Sequence, residues 1–181
     1  MMKAKAIYPC LVGLLLGLLQ TGLFFQLSFT LSSSFGTFLL VTLCWLVGSA
    51  IGVFYLAHLP LPTVLFLALA FLAYSLVALL LAAAPFVTTL WPVYGVLVLL
   101  TGFYPGVFFA RYAPLYRAQT LFARENNGFI MGMVLGTVLF MLVGRIVLYL
   151  LPLGMALIVA WFGNQIQLSG DSRNPVTDVA A

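Results

Sequence analysis

The sequence predicts an all-α fold: a polytopic membrane bundle of six transmembrane helices. Three observations predict it. Hydrophobic residues make up 65% of the 181 positions and charged residues only 6%, against about 25% charged in an ordinary soluble domain. A chain of this length folded in water cannot hide two thirds of its side chains, because too much of its volume lies at the surface. The apolar residues also fall into runs of roughly 20, the length a helix needs to cross about 30 Å of hydrocarbon. Composition therefore excludes a soluble enzyme, a disordered chain and a nucleic-acid module. The net charge of +4 is scattered rather than gathered into a basic patch, so no nucleic-acid partner is expected.

The first span covers residues 7–31 and is closed by Ser32, Ser33 and Ser34. Lys3 and Lys5 before it imitate a signal peptide, but the run is too long and lacks a small-x-small cleavage site, so it reads as a retained helix. The second span covers 35–57, and the turn His58-Leu59-Pro60-Leu61-Pro62 follows. The third covers 63–84 and stops at Pro85; the fourth covers 87–110. The polar stretch 111–127, with Arg111, Arg117, Arg124 and Glu125, reads as a loop. Its Glu125-Asn126-Asn127 end suits the N-terminus of the next helix, where exposed N–H groups and the dipole favour such side chains. The fifth span covers 128–144 and the sixth 146–163, joined by a tight turn at Gly144-Arg145. Residues 129–151 also read as one long helix ending at Pro152, which would leave five spans. Residues 164–181 form a polar tail.

Loop charge sets the orientation. Lys3, Lys5, Arg111, Arg117, Arg124 and Arg173 fall on one side and Arg145 on the other, which places both termini and the tail in the cytoplasm. The expected location is an integral protein of a bacterial inner membrane.

Small residues at helical spacing form the clearest pattern. Gly128, Gly132 and Gly136 make GxxxGxxxG, and Gly13/Gly17, Gly48/Gly52 and Gly102/Gly106 repeat the pair. Residues four apart share a helix face, and glycine there lets a second backbone come close. These glycines mark helix packing or a partner interface. None follows a strand, so a phosphate loop is excluded. Ionisable residues are absent from the predicted span interiors, where Gln20 and Gln26 are the polar exceptions. With Glu125 they form the candidate polar site. Cys10 and Cys44 read as packing residues, and the lone His58 as an interfacial loop residue. No metal set, nucleophile elbow or zinc-protease motif is present. No catalytic residue is assigned, the chain is not expected to be an enzyme, and no cofactor is predicted. The Phe-rich faces, with Trp91 and Trp161 near span ends, suit lipid, and carotenoid or quinone contact is the alternative.

Two segments carry a family resemblance. Residues 26–52, QLSFTLSSSFGTFLLVTLCWLVGSAIG, resemble the first helical hairpin of membrane-bound spermidine synthase-like proteins. Residues 101–144, TGFYPGVFFARYAPLYRAQTLFARENNGFIMGMVLGTVLFMLVG, are similar to that family's fourth helix, basic loop and glycine-rich fifth helix. Their order resembles a six-helix half of such proteins, and broadly half of a major-facilitator-type transporter. Two departures stand out. Gln26 occupies the position of an acid often found in the family's first helix, and the soluble synthase domain is missing, so no catalytic residue carries over.

Three functional expectations result. The first is a non-catalytic subunit docking against other membrane proteins, or against copies of itself, in a redox, photosynthetic or secretion assembly. The second is a transporter or exporter working as a dimer of six-helix halves, with Gln20, Gln26 and Pro105 along its path. The third is a membrane component of polyamine-type metabolism, which would depend on Glu125.

Overall fold

The computed structural model describes residues 2–31 and 35–171, with side chains for 6–31 and 35–166. The expected Ser32–Ser34 turn, the side chains of Lys3 and Lys5, Arg173 and the tail from 172 onward lie outside the described residues. Among the described residues six α-helices follow in order: α1 (Met2–Thr30), α2 (Phe35–Phe54), α3 (Thr63–Ala83), α4 (Trp91–Tyr112), α5 (Ala118–Val143) and α6 (Val147–Asp171). Each contains a stretch long and apolar enough to cross a membrane. No strand occurs among the described residues.

The helix ends have local causes. Pro62 holds φ at −65° and extended backbone at the start of α3, as its ring requires. Pro92 sits in the first turn of α4, where a missing N–H costs nothing. Gly144 takes φ +88°, and its N–H closes α5 onto the Phe140 carbonyl at 2.8 Å. That left-handed residue breaks 129–151 into two helices, so the described residues form six long helices rather than five.

Two expected boundaries are corrected. The fifth helix begins at Ala118, not at Gly128, and Arg117 rather than the Glu125–Asn127 group stands at its N-cap. Nothing between 118 and 127 breaks a helix, Leu121 is buried there, and Arg124 donates to the Ala6 carbonyl of α1 at 3.0 Å. The expected loop 111–127 is therefore mostly helix. The sixth helix likewise continues past 163 to Asp171, so the predicted tail is helical over its first residues.

α1 and α4 form the centre. α1 packs most extensively on α5 and next on α6; α4 packs most extensively on α2 and next on α3; α3 also meets α6. Exchanging α1 with α4, α2 with α5 and α3 with α6 maps these packings onto one another. The correspondence holds residue by residue at the glycine seams. A β-carbon added to Gly13 would collide with the Glu125 carbonyl, and one on Gly102 with that of Trp45. Gly17 meets Phe129 as Gly106 meets Ser49; Gly128 meets Cys10 as Gly48 meets Leu99; Gly132 meets Leu14 as Gly52 meets Phe103. One constant offset relates α1 to α4 throughout, and another relates α2 to α5. In both seams the contacts advance in the same direction along the two helices, so the paired helices run parallel. Each three-helix unit has an odd number of helices, so the second unit is inverted relative to the first.

Candidate functional site

α3 and α6 close one side of the bundle, whereas among the described residues α2 and α5 have no substantial contact. Between them opens a cleft of about 360 Å³, floored by Leu16 of α1 and Pro105 and Gly106 of α4. Its walls carry Trp45, Ser49 and Phe54 from α2, Phe109 from α4, and Glu125 and Phe129 from α5. Leu16 and Pro105 are equivalent under the repeat, as are Trp45 and Glu125, and Ser49 and Phe129. The cleft therefore lies on the axis relating the two units, where inverted-repeat proteins commonly place their sites.

Glu125 is 7% exposed, although the sequence places it in a loop and predicts an interior free of ionisable groups. The early start of α5 puts it about two turns inside the helix, and the Gly13 seam draws its backbone against α1. Among the described residues, no hydrogen bond or ion pair reaches its carboxylate. A buried carboxylate without a partner is costly. Access to the cleft is what leaves this one able to meet a ligand.

The other expected site residues are not gathered here. Gln26 is buried on the far side of α1, where its Nε2 donates to the Tyr74 hydroxyl at 2.8 Å. Tyr74 in turn donates to the Leu148 carbonyl. Pro152, four residues beyond Leu148 in α6, has no N–H, so that carbonyl lacks its normal helical donor; Tyr74 supplies one across the bundle. Gln20 is half-buried on α1. Gly48, Gly52, Gly102, Gly106, Gly128 and Gly132 all lie in the two seams between helices. Gly136 faces the Leu18 side chain more loosely, 3.2 Å from a β-carbon added there.

The chain matches no protein-family model, no curated protein and no solved structure. The resemblance drawn from residues 26–52 and 101–144 thus rests on those motifs alone.

Two further features went unread in the sequence. Arg111, at the end of α4, gathers the α2–α3 connection: its guanidinium donates to the carbonyls of Ala57 at 3.2 Å and Leu59 at 2.7 Å and lies 5.5 Å above the Phe66 ring. A second cavity, of about 320 Å³, collects Tyr8, Tyr104 and Tyr112 with Trp161, and the Tyr8 and Tyr112 rings stand 5.2 Å apart. Trp45 was legible only as one of three tryptophans. The signal that finds it is its equivalence to Glu125.

Proposed function

We propose that the chain is a membrane transport protein whose working unit is a pair of six-helix halves facing one another across the α2–α5 cleft. The buried carboxylate of Glu125, on the axis of an inverted repeat, carries this reading. Hydrocarbon does not tolerate such a group on an open face, and a second copy set against the first would enclose it. The rims of the cleft are apolar; Phe54 and Val134, equivalent under the repeat, are 69% and 57% exposed. The chain sits in a bacterial inner membrane, with the start of α1, the α2–α3 connection and the α4–α5 connection at the cytoplasmic end beside Lys3, Lys5, Arg111, Arg117 and Arg124. Gln26 and Gln20 act in helix packing rather than on the path.

Cross-linking tests the pairing. Phe54→Cys with Val134→Cys, in a background lacking Cys10 and Cys44, should trap a disulfide-linked dimer. Leu79→Cys on the outer face of α3 should not. Liposomes holding a mixture of small cationic, neutral and anionic solutes should lose at least one class through the protein, and the cross-link should stop that loss. Equal retention of every class with and without protein would overturn the transport reading.

The broad apolar faces of α2 and α5 support a second reading, a non-catalytic subunit seated against a different membrane protein. Gentle extraction would then yield a one-to-one complex with that protein in place of the cross-linked homodimer.

A further inference from the structure

The chemistry of the cleft narrows what it takes. We propose that the α2–α5 cleft binds a monovalent organic cation with an apolar body, such as a quaternary ammonium or phosphonium ion. This deepens the transport reading by naming a substrate class. It requires only that the cleft be a binding site.

Charge, surface and size support it separately. Glu125 is the one acid in the cleft wall, and it carries a buried carboxylate that no other described residue satisfies. One negative charge with no basic partner among the described residues calls for one positive charge. A polyamine would leave its remaining ammonium groups against apolar wall. A metal ion needs several ligands, and no group of three or more His, Cys, Asp or Glu exists among the described residues. The remaining wall is largely apolar and rich in rings: Trp45, Phe54, Phe109 and Phe129 line the same cleft as Glu125, and Trp45 is 6% exposed. Aromatic faces attract cations through the ring quadrupole, tryptophan most strongly, and recognition of quaternary ammonium groups uses this arrangement. The same faces receive the apolar body of the ligand. A volume of about 360 Å³ lies in the ordinary range for small-molecule sites, about 300–1,000 Å³. The repeat adds a last argument. Equivalent positions on the two units carry a carboxylate at 125 and an indole at 45, so a ligand on the axis meets charge from one side and a π-face from the other.

The experiment uses two ions of nearly equal size and opposite charge, tetraphenylphosphonium and tetraphenylborate. The full chain in detergent, with Trp91 and Trp161 replaced by phenylalanine, reports through Trp45. Tetraphenylphosphonium should quench the Trp45 emission saturably, and tetraphenylborate should not. Glu125→Gln should weaken phosphonium binding at least tenfold, whereas Glu125→Asp, which keeps the charge, should stay within a few-fold of the parent. Equal binding of the two ions, or unchanged binding in Glu125→Gln, would overturn the proposal, because either result leaves only a greasy crevice. No saturable quenching at millimolar phosphonium would overturn it too. If Glu125→Gln fails to fold, the Asp variant and the borate control decide alone. Saturable phosphonium binding with no solute loss from liposomes would leave the cation site standing and remove transport; solute loss without cation binding would do the reverse.

Discussion

Removing the Tyr74 hydroxyl tests whether one side chain repairs the backbone of another helix. In Tyr74→Phe the Leu148 carbonyl loses its cross-bundle donor, and Gln26 Nε2 loses the acceptor it holds at 2.8 Å. Gln26 Oε1 already lacks a hydrogen-bond partner, so the amide would be left without any. Orphaning a buried polar group costs about 1–3 kcal/mol in soluble proteins, but interhelical hydrogen bonds in membranes average nearer 0.6 kcal/mol. Two orphans at intermediate cost give about 1–2 kcal/mol, roughly a 5- to 30-fold rise in the unfolding constant. The cause can be separated from mere loss of packing. Pro152→Ala returns an N–H to α6 four residues beyond Leu148, so the carbonyl regains its normal helical donor. In that background Tyr74→Phe should cost about half as much, because Gln26 alone is left unsatisfied. Reversible unfolding of the four proteins in mixed micelles, followed by far-ultraviolet circular dichroism, measures this coupling. A Tyr74→Phe cost that is the same in both backgrounds, within about 0.3 kcal/mol, would refute the link between Tyr74 and the proline.

The glycine seams and the Arg111 clamp give further expectations. Gly128→Ala drives a methyl group into the Cys10 backbone carbonyl and should lower the thermal unfolding midpoint. Gly154→Ala meets nothing within 4 Å and should leave the midpoint unchanged or raise it, since alanine is favoured over glycine in a helix by about 0.5–1 kcal/mol. The opposite order in a detergent melt would contradict the seam. Arg111→Lys keeps the charge but replaces a planar fork with a point donor. One ammonium nitrogen cannot span the Ala57, Leu59 and Leu61 carbonyls that three guanidinium nitrogens reach, and protease should cut the 56–62 connection several-fold faster while helicity stays the same. Equal cleavage of the two proteins would show that the clamp holds nothing in place.

Much of the architecture was legible because lipid imposes simple rules. Runs of about 20 apolar residues give helices, prolines at 60, 62, 85 and 92 punctuate them, and Gly144 before Arg145 reads correctly as a turn. The errors fell where polarity was equated with exposure. Residues 118–127 carry Arg124, Glu125 and two asparagines and therefore resemble a loop. Yet a helix turns every 3.6 residues, so one polar segment can present Leu121 and Glu125 inward and Phe122, Asn126 and Asn127 outward. Span-averaged hydropathy erases that difference. The glycine pairs were visible as pairs, but not as two copies of one seam. The stretch from α1 to α2 is longer than that from α4 to α5, so the two offsets differ and no single shift of the sequence superposes the units. Tertiary pairing is needed to see that Gly13 and Gly102 do the same job.

The repeat also explains why the site lies where it does. Two units related by an axis share backbone geometry, and that geometry is held by glycines which permit no side chain between the helices. Function cannot reside in those seams, because any group large enough to bind something would push the helices apart. It must sit beside them, at positions one turn from the glycines that face the axis. Trp45 and Glu125 are such positions: each offers its own carbonyl to the facing glycine, Gly102 for Trp45 and Gly13 for Glu125, and both line the cleft. A fully symmetric pair there would give two carboxylates repelling one another or two indoles with no charge to hold a ligand. The divergence of one position into an acid and its twin into an indole removes both problems. The seams keep the architecture common to the two halves, and under the proposed cation site the departure from symmetry at 45 and 125 is what would make the cleft chemically selective.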